Sequence, residues 1–287
     1  IMPAMTYCST AFAIINAGLK PILADIESNT PTIDIDEIKK KITRKTRVIM
    51  PVHLYGSVAN INMIKKIIGK KKIHLVDDAS QAHGAIDDSN NKKLKNVGSS
   101  CEISCFSLYP GKNLGAYGDA GIITTNNKFI FNKIRNLRNL GSTKKFIHTN
   151  VGFNSRLDTI QAIFLIKKLT QLKKNNQKRI SIARFYTKNI KNKNITKISY
   201  SKFAVYHQYV IMVKNRKKII NIFEKNNIQY GFHYPKSINQ LEVFKKKYKK
   251  QKFKNAEKLA KNGISLPIDP NLKKNDIKRI VDLINSL

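Results

Sequence analysis

Cysteine is scarce in this chain: Cys8, Cys101 and Cys105 are all it has in 287 residues. Three cysteines, an odd number, cannot make a disulfide framework, and the expected setting is a reducing cytoplasm. Cys101 and Cys105 are spaced Cys-x-x-x-Cys with no second pair, so no metal site is expected there. Long apolar runs are absent too. None approaches the roughly 20 residues that a helix needs to cross a bilayer, and no charged-then-apolar leader is recognised, so a soluble protein is expected. Acid is short: 18 Asp and Glu face 54 Lys and Arg, a formal net charge of +36. That excess suggests a polyanion partner, yet only nine of the basic residues are Arg. Arg is the side chain that forks onto phosphate and reads guanine edges, so specific nucleic-acid recognition is not expected. The lysines are smeared over 65–72, 173–179, 188–197 and 245–254 among many Asn and Ile. Such runs read as a solvated coat.

What is present is globular composition, with 41% hydrophobic residues, 25% charged residues and 13 Gly. The length suits one large α/β domain and a small one. Apolar runs alternate with helical patterns, the mark of a mostly parallel sheet covered by helices. Strands are expected over 21–26, 47–53, 73–76, 103–108 and 121–125, with helices over 34–42, 61–68 and 128–140. Residues 87–97 read as a loop. Ser155 and Asp158 have capping-box spacing and should open a long helix reaching about residue 186. Lys168 is expected to snorkel from that helix. Residues 188–197 then read as a linker, followed by a strand at 208–213 and helices at 216–226 and 276–287. The expected division is a large domain over 1–186 and a smaller α/β domain over 187–287.

One constellation carries chemistry. Asp78, in Asp77-Asp78-Ala79-Ser80-Gln81-Ala82-His83-Gly84, stands past the carboxyl end of a buried strand, where open α/β sheets place ligands. Lys112 lies between Gly111 and Gly115, which lets backbone approach a ligand around a single amine. An amine shielded from water has a depressed pKa and can form a Schiff base. A carboxylate for a cationic ring nitrogen and an amine for an aldehyde are what pyridoxal phosphate requires. The same residues also read as a strand-end cap and a solvent-facing lysine. The Gly-rich stretch from Gly115 to Gly121 lacks the Gly-Lys-Ser/Thr ending of a phosphate loop.

An ordered series of blocks then resembles the pyridoxal-phosphate-dependent nucleotide-sugar aminotransferases of the DegT/DnrJ/StrS family. It runs through Pro3-Ala4-Met5-Thr6-Tyr7, Pro51-Val52-His53-Leu54-Tyr55-Gly56, the Asp78 block, residues 106–121 and Gly152-Phe153-Asn154-Ser155-Arg156-Leu157-Asp158. It ends in Tyr206-His207, Gly231-Phe232-His233-Tyr234-Pro235 and Leu266-Pro267. The resemblance implies the aspartate-aminotransferase architecture: a three-layer large domain with a mostly parallel sheet and a smaller C-terminal α/β domain. Lys112 matches the lysine that binds the cofactor aldehyde and shuttles protons. Asp78 matches the partner of the pyridinium nitrogen, Gln81 the neighbour of the ring hydroxyl, Ser107 a phosphate ligand and Tyr7 the aromatic stacked on the ring. Asn154 matches a residue reaching the neighbouring subunit's cofactor, which implies a homodimer with shared sites. His233 and Tyr234 sit where relatives contact the nucleotide-sugar, and Arg156 could hold a carboxylate or phosphate.

The implied activity moves an amino group, with glutamate the expected donor, onto a keto group of a nucleotide-linked sugar for amino-sugar or surface-polysaccharide synthesis. The block from Gly231 to Pro235 resembles members acting at the 3-position. Three other readings stay open. A sugar dehydratase of the same family would carry His where Lys112 stands. A polyanion binder would use the charge alone. An inactive remnant is the third, because the family's N-terminal Gly/Ser-Thr turn has no match here and a piece of a longer product is expected.

Overall fold

The protein is described by a computed structural model over residues 1–89 and 94–287. Its central sheet has the order β3 (Val48–Ile49), β4 (His74–Asp78), β7 (Ile103–Ser107), β8 (Gly121–Thr124). β3, β4 and β7 are parallel, and β8 closes the edge antiparallel to β7. A parallel pair, β1 (Met2–Pro3) and β2 (Leu23–Ala24), lies beside β3, joined by Met50 N–H donating to Ile1 O at 2.8 Å. A second, antiparallel sheet is built from β11 (Ile195–Lys197), β12 (Tyr209–Val213) and β13 (Gly263–Leu266).

The helices follow from local chemistry. α1 (Cys8–Asn16) has no side-chain cap at its N-terminus, whereas α2 (Ile35–Lys41) is capped by Asp34, whose Oδ1 accepts from Asp36 N and Glu37 N at 2.8 and 2.9 Å. Acids in its first turn and lysines in its last complement the helix dipole. α3 (Ile61–Ile68) is capped by Asn60, buries Ile61, Ile64 and Ile68, and stops at Gly69 with φ +52°. α4 (Lys128–Leu137) buries none of its residues. The chain then runs through a hairpin, β9 (Ser142–Lys144) with β10 (Ile147–His148), into α5 (Thr159–Asn189), 31 residues long. α6 (Arg216–Lys225), α7 (Glu242–Lys245), α8 (Lys254–Asn262) and α9 (Lys274–Asn285) complete the chain.

Several expectations are corrected. Ser155 and Asp158 form no capping box: α5 begins at Thr159, and the Asp158 side chain caps nothing. The preceding segment is held extended instead, with Ser155 N–H donating to Arg138 O at 2.9 Å and Asn154 bridged to Asn139, so it cannot fold back on the helix. Residues 188–197 are not a linker, because α5 runs to Asn189 and Ile195–Lys197 pairs with β12. Lys197 Nζ donates to Thr187 O and Ile190 O at 2.9 and 3.1 Å, closing the helix end. In the expected 87–97 loop, β5 (Ile86–Asp87) pairs antiparallel with β6 (Lys95–Asn96), and residues 90–93 of that loop lie outside the described residues.

One hydrophobic cluster joins chain segments far apart. Met2, Met5 and Leu23 pack with Val210, Met212, Phe244, Tyr248, Phe253 and Leu259. The junction is reinforced at α8, which has no side-chain cap of its own. Asp25, the residue after β2, supplies one: its Oδ2 accepts from Asn255 N and its Oδ1 from Ala256 N, both at 2.9 Å.

Candidate active site

Parallel strands that stop together leave their last residues on one rim, and side chains there converge. The end of β4 delivers Asp78 and the end of β7 delivers Ser107 to a cleft of about 610 Å³. Tyr7, Gln81, Lys112, His233 and Tyr234 line the same cleft. Asn154 and Arg156 do not; they are exposed, and Arg156 Nε donates to Asn154 Oδ1 at 3.2 Å.

The Asp78 carboxylate is fixed on both oxygens. Thr10 Oγ1 donates to Oδ2 at 2.7 Å and Ser80 N–H to Oδ1 at 3.1 Å. Its main chain is held as well, through Asp78 N–H to Pro51 O at 2.9 Å and His53 N–H to Asp78 O at 3.0 Å. Under it lies a sealed pair. His53 Nδ1 accepts from Ala59 N–H at 3.0 Å, so the ring proton is on Nε2, which donates to Asp77 Oδ2 at 2.8 Å.

Lys112 sits on a tight loop closed by Lys112 N–H to Tyr109 O and Ala116 N–H to Leu108 O, at 2.9 and 2.7 Å. Gly115 is required for that closure, because a Cβ there would fall on the Pro110 carbonyl. Burial pushes the Lys112 amine below its ordinary pKa, while the Asp78 charge acts in the opposite direction. α5 clamps the loop from behind with one stripe of side chains. Gln161 Oε1 accepts from Tyr117 N–H at 2.8 Å, Lys168 Nζ donates to Gly115 O at 2.7 Å, and Asn176 Oδ1 accepts from Asn113 Nδ2 at 3.0 Å. Lys168 therefore bonds inward rather than snorkelling. Asn176 and Arg179 likewise face in from a lysine run expected to be solvated; Arg179 donates to Ile268 O.

The far wall comes from the C-terminal part of the chain. Gln81 Oε1 accepts from Tyr55 N–H at 2.6 Å and its Nε2 donates to Tyr234 OH at 3.0 Å. Tyr55 OH donates to His233 O, and His233 Nδ1 pairs with Ser265 Oγ at 2.8 Å. Burial raises the Tyr234 hydroxyl pKa, and the Asp78 charge raises it further. Tyr7 packs 5.4 Å from the Tyr234 ring, half exposed to the cleft. Sequence reading assigned no role to Thr10, Asn113, Asn176 or His207. The only local signals for them were the 106–121 block, which holds Asn113, and the Tyr206-His207 block.

The donor set fits pyridoxal phosphate. A fixed carboxylate, a partly desolvated amine, an exposed aromatic face and the Ser107 hydroxyl share one cleft, and its volume is that of a small-molecule site. Among the described residues there is no cluster of three or more metal-ligating side chains, and no helix is long and apolar enough to cross a membrane.

Comparison with known proteins agrees with this geometry. Over 287 residues the chain is 37% identical to a dTDP-3-amino-3,6-dideoxy-alpha-D-galactopyranose transaminase from Aneurinibacillus thermoaerophilus, covering 99% of this chain and 77% of that protein. It is 30% identical to a dTDP-3-amino-3,4,6-trideoxy-alpha-D-glucose transaminase from Streptomyces venezuelae, covering 99% and 75%. The crystal structure of S. venezuelae DesV in complex with a ketimine intermediate superposes with a TM-score of 0.94 at 30% identity, over 99% of this chain and 77% of that one. A Bacillus subtilis structure with bound cofactor PMP, the amine form of pyridoxal phosphate, gives a TM-score of 0.88 at 29% identity, over 99% and 66%. The DegT/DnrJ/EryC1/StrS aminotransferase family matches residues 1–285. The cleft, the fold and these matches together make the chain a member of the DegT/DnrJ/EryC1/StrS family, an aminotransferase that works with pyridoxal phosphate.

Proposed function

We propose that the protein transfers an amino group from an amino acid, glutamate by preference, to a keto group at the 3-position of a nucleotide-linked sugar. The observation that carries this reading is the meeting of the Lys112 amine and the Asp78 carboxylate in one cleft. The sugar position is supported by relatives whose names specify 3-amino, 3-oxo or 3-dehydro sugars, including a UDP-N-acetyl-3-dehydro-alpha-D-glucosamine aminotransferase from Acidithiobacillus ferrooxidans at 32% identity.

When bound, pyridoxal phosphate supplies an aldehyde that captures amines and a ring that takes up electron density. Asp78 would keep a proton on the ring nitrogen, and Thr10 and Ser80 hold its carboxylate in place for that role. Lys112 Nζ anchors the cofactor at rest. Once released, it moves the proton lost from the donor's α-carbon. Its partial desolvation favours the free base needed to accept that proton. Tyr7 would cover the ring and Ser107 would take the phosphate, while Gln81 holds Tyr234 on the cleft wall that His233 shares. The keto-sugar then takes the amino group by the same proton movements in reverse.

The protein acts as a homodimer in this reading. α4 leaves Phe129 and Phe131 exposed, and Phe153, tied to the C-terminal end of that helix by its N–H to Leu137 O at 2.7 Å, is exposed as well. An apolar surface of this kind suits a second copy. Asn154 and Arg156, exposed just after Phe153 in the chain, would enter the partner's cleft. The division at residue 186 belongs to the same proposal, since segments on both sides of it wall the cleft. Free thiols at Cys8, Cys101 and Cys105 suit a cytoplasmic setting.

The test is reconstitution with pyridoxal phosphate. Borohydride should fix the cofactor onto Lys112, glutamate should convert it to its amine form, and a 3-keto nucleotide-sugar should restore it. A folded protein that takes up no cofactor on Lys112 overturns the reading.

A further inference from the structure

Behind the Lys112 loop runs a chain of side-chain amides that ends on a histidine. Asn176 Nδ2 donates to a main-chain acceptor, His83 O, at 2.8 Å. A carbonyl only accepts, so the orientation of this amide is settled and its Oδ1 faces Asn113. Asn113 Nδ2 donates to that Oδ1 at 3.0 Å and to a second carbonyl, Val205 O, at 3.2 Å. Both of its amide hydrogens are then committed, and its Oδ1 meets His207 Nδ1 at 3.1 Å. An amide oxygen cannot donate, so the ring proton of His207 is on Nδ1 and Nε2 keeps its lone pair. Gly84 makes the arrangement possible: at its φ of +79°, a Cβ would stand 2.9 Å from Asn176 Nδ2. His207 is 8% exposed and lines the cleft beside Lys112. No hydrogen bond to its Nε2 is found among the described residues, so that atom is what the ring can offer to the cleft.

We infer that His207 is a positioning residue for the reacting amine: with Nδ1–H locked on Asn113, its Nε2 lone pair is kept in the cleft for the Lys112 ammonium to donate to when that amine turns toward it. This inference rests on the proposed role of Lys112. An amine that has just taken a proton in a partly desolvated wall needs an acceptor, and a neutral imidazole supplies one without adding charge. The surroundings keep the ring neutral. Burial lowers its pKa well below the usual value, and Lys112 on the loop, Arg179 on α5, His83 after β4 and His233 on the far wall all act in the same direction. An imidazolium would have no lone pair to offer.

Two measurements on the cofactor-free protein test the inference. Nitrogen-15 spectra of labelled histidine, assigned with His207→Gln, should report the Nδ1–H tautomer for His207 between about pH 5 and 8. The pH dependence of reductive methylation at Lys112, followed by peptide mass spectrometry, should shift to lower pH in His207→Phe and return in His207→Gln, which keeps an acceptor. In the holoenzyme, His207→Phe should slow the glutamate half-reaction about tenfold or more with KM changed less than about twofold. An Nε2–H tautomer in the wild-type protein overturns the inference, and so does an unshifted Lys112 profile in folded His207→Phe. Should Lys112 fail to capture cofactor, the functional proposal falls, while the tautomer and methylation readouts still decide the role of His207.

Discussion

Lys168 and Gly115 are joined across the interface between α5 and the cleft loop. The ammonium donates to the glycine carbonyl at 2.7 Å and stands 4.3 Å from the centroid of the Tyr117 ring. Lys168→Met keeps the hydrocarbon stem and removes both contacts. The variant should lose about 1–2 kcal/mol of stability, read by urea unfolding, and hold cofactor several-fold more weakly. Unchanged cofactor affinity would mean that the clamp does not set the loop.

Replacing Lys112 removes the cofactor's covalent anchor and the proton carrier together. Lys112→Ala should leave nothing for borohydride to fix and should lower the rate of amino transfer by about 10²–10⁴-fold. Peptide mapping after reduction, beside single-turnover kinetics, checks both.

Asp78→Asn separates anchoring from catalysis. The amide cannot hold a proton on the ring nitrogen as a charged partner does, so transfer should slow by about 10²-fold or more while Lys112 still captures the cofactor. Loss of capture as well would place Asp78 in folding or binding instead.

His83 governs part of the acid stability. Neither ring nitrogen has a hydrogen-bond partner among the described residues, the ring packs against Phe106, and burial lowers its pKa to about 4 from 6.5, with the nearby Ser107 main chain acting weakly the other way. As the pH drops below 6.5 the unfolded chain takes up a proton that the native ring refuses. Stability from this group is therefore present above pH 6.5, is lost as the pH falls, and levels off near pH 4. The loss amounts to about 3 kcal/mol. His83→Phe should flatten that part of the stability–pH curve, measured by denaturant midpoints across the range.

Asp25→Ala takes away the only side-chain cap that α8 receives among the described residues. Stability should fall by about 1–2 kcal/mol, and amide exchange should quicken in the first turn of α8 more than in α5.

How much of this was legible depended on how local the cause is. Helix 61–68 was read at its observed bounds because Asn60, the isoleucine spacing and Gly69 all lie within it or next to it. Asp78 and Lys112 were legible from their neighbours, and the structure brings them into one cleft. α8 was missed because its cap comes from Asp25, 230 positions upstream of Asn255. Asn176 was missed because its neighbours read as surface. What turns it inward is the main chain at His83, 93 positions away, beside a glycine whose missing Cβ leaves room. The Ser155–Asp158 spacing misled for the same reason, since pairing with Asn139 outcompeted the local cap.

The cluster that packs Met2, Met5 and Leu23 against Phe244, Tyr248 and Phe253 has a consequence for biosynthesis. Tyr248 also donates to Pro21 O at 2.6 Å, across 227 positions of sequence. A ribosome releases Tyr248 227 residues after Pro21, so β1 and β2 wait uncovered for that much of translation before this face can close. Closure of this cluster is in that respect a late step, set by the arrival of the segment that carries Phe244, Tyr248 and Phe253.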